Sequence, residues 1–283
     1  MVDSIKSNAS AMAALQSLNS TLSKTSTTTG RLSTGFKVAN AFDDNSSFTV
    51  AQSIRGSVSN IRESNQTLAV AKGSVDTALA ATTKISESLQ SIRQVTTQLS
   101  DANLDGARRT ELQAQYRNTV EEIGKTINSA TSNGFNALGS ASQKVTTNEA
   151  GSTLEIGGYD LKAKLALPAE MNSAAAAQAF LGQAAEVESG GTTQDSGVKL
   201  ADMERAVGNV MNDLGASSRR IGAQINFNSA MQDAMNTSLG AISDADMATE
   251  SANLQALQVK QQLGVQSLSI ANQAPQSLLS LFR

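Results

Sequence analysis

The sequence predicts a mainly α fold: a long antiparallel helical rod with coiled-coil N- and C-terminal helices and a small insertion containing a β-hairpin. Three observations lead there. Residues 200–242 carry seam positions at an unbroken 3-4 spacing, the period of a helix face that packs on another helix. Both ends of the chain are amphipathic with helical periodicity. Between residues 135 and 199 the heptads vanish and Gly, Ser and Thr take over, so a different structure interrupts the rod.

Taken in order, residues 1–44 form an N-terminal helix with Ile5, Met12, Leu15 and Leu22 on a 7-residue grid. Residues 45–135 are rod helices. Ile54, Val58, Ile61, Asn65, Leu68, Val75 and Leu79 make one seam; the phase then slips, and Ile85, Leu89, Ile92 and Leu99 continue it, which reads as a stutter. Asp101 to Gly106 supply a polar turn, and Leu112, Tyr116, Val120, Ile123 and Ile127 mark a further helix ending at the turn dipeptide Asn133-Gly134.

Residues 136–199 are the insertion, where Thr153–Ile156 and Tyr159–Leu165 alternate apolar with polar around Gly157-Gly158, a hairpin signal. Pro168 ends that unit, Met171–Val187 is an Ala-rich short helix, and Glu188–Gly197 is a loop. Residues 200–243 return as a rod helix about 65 Å long at about 1.5 Å per residue. Its seam runs Leu200, Met203, Val207, Val210, Leu214, Ser217, Ile221, Gln224, Asn228, Met231, Met235, Ser238 and Ile242. The polar members Ser217, Gln224 and Asn228 fix register at a cost in stability, as buried Asn does in coiled coils.

Residues 244–283 form the C-terminal helix, with Leu254, Leu257, Val259, Leu263, Leu268, Ile270, Leu278 and Leu281. Pro275 is expected to kink that helix or stop it near Ala274. Short turns make the helices antiparallel, with the insertion at the far end of the folded-back rod and the two termini meeting at the other. Hydrophobic residues continue to Leu281-Phe282-Arg283, so the ends are expected to pack on each other and on other copies. That pattern belongs to an assembly protein.

Composition narrows the function classes. The chain has 283 residues, 25 acidic against 22 basic side chains and 3% aromatic residues, too few for a conventional thick core. Charged residues make up 17%, below the roughly 25% of ordinary soluble domains; small and neutral-polar residues suited to close helix contacts replace them. With neither Cys nor His, no thiol nucleophile, Ser–His–Asp triad or Cys/His zinc site can be built. No glycine-rich nucleotide motif occurs, and the acidic pairs Asp43-Asp44 and Glu121-Glu122 point apart on a helix, so no enzyme and no cofactor are expected. A pI near 5.1 argues against nucleic acid, and Arg108-Arg109 and Arg219-Arg220 lack aromatic partners for it. The N-terminus lacks a basic region followed by an apolar core, and no run of about 18 apolar residues occurs, so neither a Sec signal nor a membrane span is indicated.

Three local motifs add a family. Arg31-Leu-Ser-Thr-Gly-Phe-Lys-Val-Ala-Asn-Ala-Phe-Asp-Asp44, Asp244-Ala-Asp-Met-Ala-Thr-Glu250 and Asn272-Gln-Ala-Pro-Gln-Ser-Leu-Leu-Ser-Leu-Phe-Arg283 resemble, in order and position, signature segments of bacterial flagellins, especially alpha-proteobacterial ones. The resemblance covers residues 1–140 and 200–283. It implies a subunit that polymerises into the extracellular flagellar filament, with Ile5, Met12, Leu15, Leu22, Leu254, Leu257, Leu263, Leu268, Ile270, Leu278 and Leu281 as assembly contacts. It also implies export without a cleaved signal peptide, a chaperone over the C-terminal helix, a cap protein at the growing tip and junction proteins at the hook. The terminal helices are expected to be disordered in the free subunit and to fold on incorporation. Glycosylation of Ser and Thr in 140–153 and 189–196 is expected by family analogy.

The residues after the first helix read as a charged, kinked joint. Gly35 gives backbone freedom, and Arg31 and Lys37 place positive charge beside Asp43 and Asp44. In many flagellins a rod segment of the form glutamine-arginine-valine-arginine-glutamate-leucine is recognised by a vertebrate toll-like receptor. Here the segment runs Gln90, Ser91, Ile92, Arg93, Gln94, Val95; Arg93 matches the second arginine, but Ser91 and Gln94 replace two charged groups, which implies weak receptor activation. The rival readings are a hook–filament junction protein, which shares the terminal helices, and a secreted helical adhesin.

Overall fold

A computed structural model describes residues 8–148, 151–182 and 199–281, with side chains described as far as Gln273. The fold is mainly α, as the heptads predict. In chain order the elements are α1 (Ala9–Thr34), α2 (Asn45–Leu99), α3 (Gly106–Ser129), β1 (Ser142–Thr146), β2 (Thr153–Gly157), α4 (Leu161–Lys164), α5 (Ala174–Leu181), α6 (Leu200–Ser243) and α7 (Met247–Leu281). They divide into two compact units: the chain up to Val58 together with everything from Asp233 onward, and Ser59–Gln232.

In the second unit, Ile61, Ser64, Leu68, Ala71, Val75, Ala78, Thr82, Ile85, Leu89, Ile92, Thr96 and Leu99 of α2 are all buried. Their spacing alternates 3 and 4 without a break, so the expected stutter is absent. Small residues explain the difference: Ala71, Ala78 and Thr82 hold the phase through the stretch where only Leu79, which packs at the edge of the core, suggested a slip. Thr82 is tolerated inside because its hydroxyl donates to the Ala78 carbonyl at 2.7 Å.

Helix α6 runs antiparallel to α2 in this unit and buries Leu200, Met203, Val207, Val210, Leu214, Ile221 and Asn228. The pairing is marked by Arg93 with Glu204, Ser218 with Asp76 and Asn228 with Asn65. Helix α3 starts at Asp105, whose carboxylate accepts from the amides of Ala107 and Arg108. One turn later the Arg109 guanidinium donates to the carbonyl of Leu99 (3.0 Å), which the end of α2 leaves open, and to that of Asp101 (2.7 Å) in the turn beyond. Leu112, Tyr116, Ile123 and Ile127 then face the core.

The insertion shares that core instead of standing at the rod's end. The Tyr116 hydroxyl donates to the Pro168 carbonyl at 2.8 Å, and burial pushes that phenol's pKa up. Gln113 donates to the Met171 carbonyl and Gln178 to that of Ser100. Val145, Ile156, Leu161, Leu165, Met171, Ala177 and Phe180 join one hydrophobic cluster with α2, α3 and α6.

The hairpin also forms one strand earlier than expected. β1 pairs antiparallel with β2, Val145 facing Leu154, while the segment after Gly157-Gly158 turns into the short helix α4. Two causes combine. β1 has only Val145 as an apolar residue, so its alternation is faint in sequence. Gly157 adopts φ +84°, and a Cβ there would stand 2.6 Å from Phe135 Cζ, so the chain leaves the strand where the sequence suggests a turn between strands. Residues 183–187 of the expected Ala-rich helix and the Glu188–Gly197 loop lie outside the described residues.

At the middle of the α2–α6 seam is one polar node. Asn228 is 1% exposed; its Nδ2 donates to Asn65 Oδ1 (2.9 Å) and to the Thr147 carbonyl at the hairpin tip (3.0 Å). Its Oδ1 accepts from Gln224 Nε2 at 2.8 Å. This is the register role expected of Asn228 and Gln224, extended to hold the hairpin. Asn228→Ala is therefore expected to cost about 1 kcal/mol, because the half-buried Asn65 and Thr147 acceptors lose their donor. Urea unfolding reads this directly; an unchanged midpoint would show that the node contributes nothing.

Candidate assembly surface and joint

The first unit contains the antiparallel pair α1 and α7. Helix α1 turns a half-buried to buried line toward its partner: Ala11, Ala14, Leu18, Thr21, Thr25, Thr28 and Leu32. The facing line on α7 is Glu250, Leu254, Leu257, Gln261, Gly264, Leu268 and Ala271. Both follow the 3-4 spacing of a coiled coil, yet most of their members are small or polar. The Thr21 and Thr25 hydroxyls donate to carbonyls one turn back in α1, so they enter the seam already bonded. Leu18 Cδ1 lies 3.3 Å from where a Cβ would stand on Gly264, so the missing side chain is what admits the leucine.

The seam takes Leu18, Leu32, Leu254, Leu257 and Leu268 among its small and polar members, but other large apolar side chains lie outside it. Met12 is 69% exposed, Leu263 61% and Ile270 59%; Leu15, Leu22, Val259 and Val265 are exposed too. Among the expected contacts, then, Met12, Leu15, Leu22, Leu263 and Ile270 face outward, whereas Leu254, Leu257 and Leu268 are half-buried on the line that meets α1. Ile5 and the side chains of Leu278 and Leu281 lie outside the described residues. Pro275 does not end the helix, which continues through it to Leu281.

The joint is built from backbone bonds and caps. Gly35 closes α1 in the left-handed conformation at φ +75°, its amide donating to the Arg31 carbonyl at 2.8 Å. The next residues bridge to the end of α6: the amides of Lys37 and Val38 both donate to the Ser243 carbonyl, and that of Ala245 donates to Gly35. Phe36 and Asp244 form the corresponding bridge, and Val38 and Ser243 are buried beneath it.

The expected charges divide: Lys37 does act on Asp44, but Arg31 does not. Arg31 pairs with Glu250 across the two helices at 3.1 Å instead of with Asp43 or Asp44, and the Glu250 side chain is only 12% exposed. Glu250 was the residue missed. It ends one motif as Arg31 begins another, and that correspondence was the available signal. Asp43 accepts from the amides of Ala39 and Asn40 in a tight turn.

Asp44 begins α2, accepting from the amides of Ser46 and Ser47 and from the Ser47 hydroxyl. Asp246 begins α7 in the same way, with Ala248 and Thr249. The acidic pair therefore serves the backbone, and among the described residues no cluster of acidic side chains could hold a metal.

Gln90, Ser91, Arg93 and Gln94 are exposed on α2 in the other unit. Arg93 is committed to both carboxylate oxygens of Glu204. No described helix is long and apolar enough to cross a membrane.

Residues 5–143 match the bacterial flagellin N-terminal helical region, and residues 200–282 match the bacterial flagellin C-terminal helical region. The chain is 33% identical to flagellin FljK of Caulobacter vibrioides, covering 100% of this chain and 99% of that one. The chain belongs to the bacterial flagellin family. It is also 34% identical to a flagellin of Brucella melitensis over 99% of both chains. In fold it is similar to a putative flagellar hook-associated protein from Vibrio parahaemolyticus, with a TM-score of 0.56 and 14% identity, covering 71% of this chain and all of that one. As a flagellin it is a structural subunit of the extracellular flagellar filament, not an enzyme.

The two caps give the joint an acid sensitivity. The Asp44 carboxyl is held below its ordinary pKa chiefly by the Ser47 hydroxyl, and Asp246 likewise by that of Thr249. A carboxyl depressed on folding adds stability above its unfolded value of about 4 and loses it as pH falls through the folded value. Helix content is therefore expected to drop below about pH 4. Asp44→Asn with Asp246→Asn, which caps without titrating, should retain more helix at low pH by circular dichroism. Superimposable titrations would contradict this role.

Proposed function

We propose that this flagellin polymerises through the outward apolar faces of α1 and α7, covered by the same helices of neighbouring subunits. The carrying observation is the division of side chains within the pair: a seam of mostly small or polar residues with five leucines, and Met12, Leu15, Leu22, Leu263 and Ile270 exposed outside it. Ordering a helix costs about 1–2 kcal/mol of backbone entropy per residue. A seam in which most positions are small or polar returns only part of that. Covering a large half-exposed apolar side chain returns on the order of 1 kcal/mol or more, and a subunit surrounded by others gains it at every such residue. The terminal helices thus fold for good only on incorporation. Subunits join through two different surfaces, which yields an open helix instead of a closed ring.

In this reading residues 1–44 and 244–283 line the inner tube, 45–135 and 200–243 form the next layer, and 136–199 lies outermost. Before export an apolar α7 face needs cover, which suits a chaperone. A cap protein at the tip and junction proteins at the hook complete the partners.

Seeded polymerisation watched by negative-stain electron microscopy tests the reading. The full chain is expected to form long filaments, and the chain lacking residues 1–40 and 244–283 none. Full chain that stays monomeric, or truncated chain that still forms filaments, would refute it.

The receptor-type segment gives a separate prediction. Two charges are missing at Ser91 and Gln94, and Arg93 is held by Glu204, so the surface offers a receptor little. A toll-like-receptor reporter assay should show weak activation; full potency at ordinary flagellin concentrations would be the opposite result.

A further inference from the structure

Of the two prolines in the chain, only Pro275 stands in a helix. In α7 each carbonyl is served by the amide four residues on. Pro275 has no amide hydrogen, so the Ala271 carbonyl is left open inside the helix. That carbonyl is not left without a donor. Asn8 Nδ2 donates to it at 2.7 Å, across the pair. The same side chain caps α1, its Oδ1 accepting from the Ala11 amide at 3.0 Å.

We propose that Asn8 and Pro275 form a register lock: the proline opens one carbonyl in α7, and the cap of α1 fills it, so α1 and α7 meet in one axial alignment.

The choice of residue supports this. The helices starting after Asp44, Asp105, Asp160, Ser173 and Asp246 are capped by carboxylates or a hydroxyl. Asn8 brings an amide, which can accept at one atom and donate at the other. A carboxylate could only accept. The need for a lock follows from the seam. Sliding by one heptad would unseat Leu18 from Gly264, whereas Ala11, Ala14, Thr21, Thr25 and Thr28 are too alike in size to resist it. It would also take the Asn8 amide to a carbonyl already bonded within the helix and leave that of Ala271 unpaired. Leu18 against Gly264 and Arg31 with Glu250 agree with the same alignment farther along the pair.

The lock lies within one chain and is read as an intramolecular cross-link in polymerised protein, where the terminal helices are folded. The chain holds no cysteine, and Leu18 Cβ is 3.8 Å from the Cβ position of Gly264, a separation that suits a disulfide. Full-length L18C/G264C protein is oxidised, and the rate of intramolecular cross-linking is followed by mass spectrometry. In this background N8D, which still caps α1 but cannot donate, should slow cross-linking about fivefold, the scale of one hydrogen bond. N8S, which caps but is too short to reach across, should do the same.

Adding P275A restores a backbone amide for the Ala271 carbonyl and should return most of the rate in both. The proposal is overturned if N8D and N8S cross-link as fast as their parent, or if P275A leaves them slow. It is also overturned if the parent fails to cross-link.

Discussion

Side-chain volume at the contact between α1 and α7 constrains the rest of the molecule. Two helices lie close where their facing residues are small, and here Ala, Thr and Gly supply much of that line, with Leu18 seated against Gly264 and Leu32, Leu254, Leu257 and Leu268 half-buried along it. The consequence is geometric. A helix with its small residues turned inward must turn its Met and Leu outward, and an outward apolar stripe is stable in water only when something covers it. A flagellin has a supply of identical stripes to do so. The seam that makes the pair thin is therefore also what makes it adhesive.

The unit from Ser59 to Gln232 follows the opposite arrangement. Its large apolar residues point inward from three helices and the insertion, and buried Asn228 bonds to half-buried Asn65, Gln224 and Thr147 on the same seam. It has an internal core of its own, so its folding does not wait for neighbours. At the joint, Gly35, Asp44, Asp246 and the Ser243 carbonyl satisfy the backbone where helices end and begin. Arg31 with Glu250 adds a partly buried ion pair whose partners come from the two terminal helices.

Helix boundaries were legible wherever a seam was long, and α6 begins at Leu200 as its heptads require. What escaped notice was small. Ala71, Ala78, Thr82 and Thr96 carry the α2 seam without looking hydrophobic, which produced a phase slip on paper. The α1–α7 seam was legible in part: Leu254, Leu257 and Leu268 lie on it, but its Ala, Thr and Gly members do not stand out from an outer stripe of large apolar residues. The hairpin was displaced because Gly157-Gly158 looks like a turn and instead ends a strand. Glu250 and Asn8 escaped for another reason, since hydrogen-bond partners 219 and 263 residues away leave no local pattern.

Methionine oxidation before and after polymerisation tests directly whether the outer stripe of the terminal helices belongs to other subunits. Met171 and Met203 are buried and serve as protected controls in both states, while Met12 is exposed in the single chain. Met12 is expected to oxidise readily in the monomer and to be shielded in the filament, as read by peptide mass spectrometry. Equal oxidation of Met12 in both states would contradict the account, because the stripe would then remain uncovered after assembly.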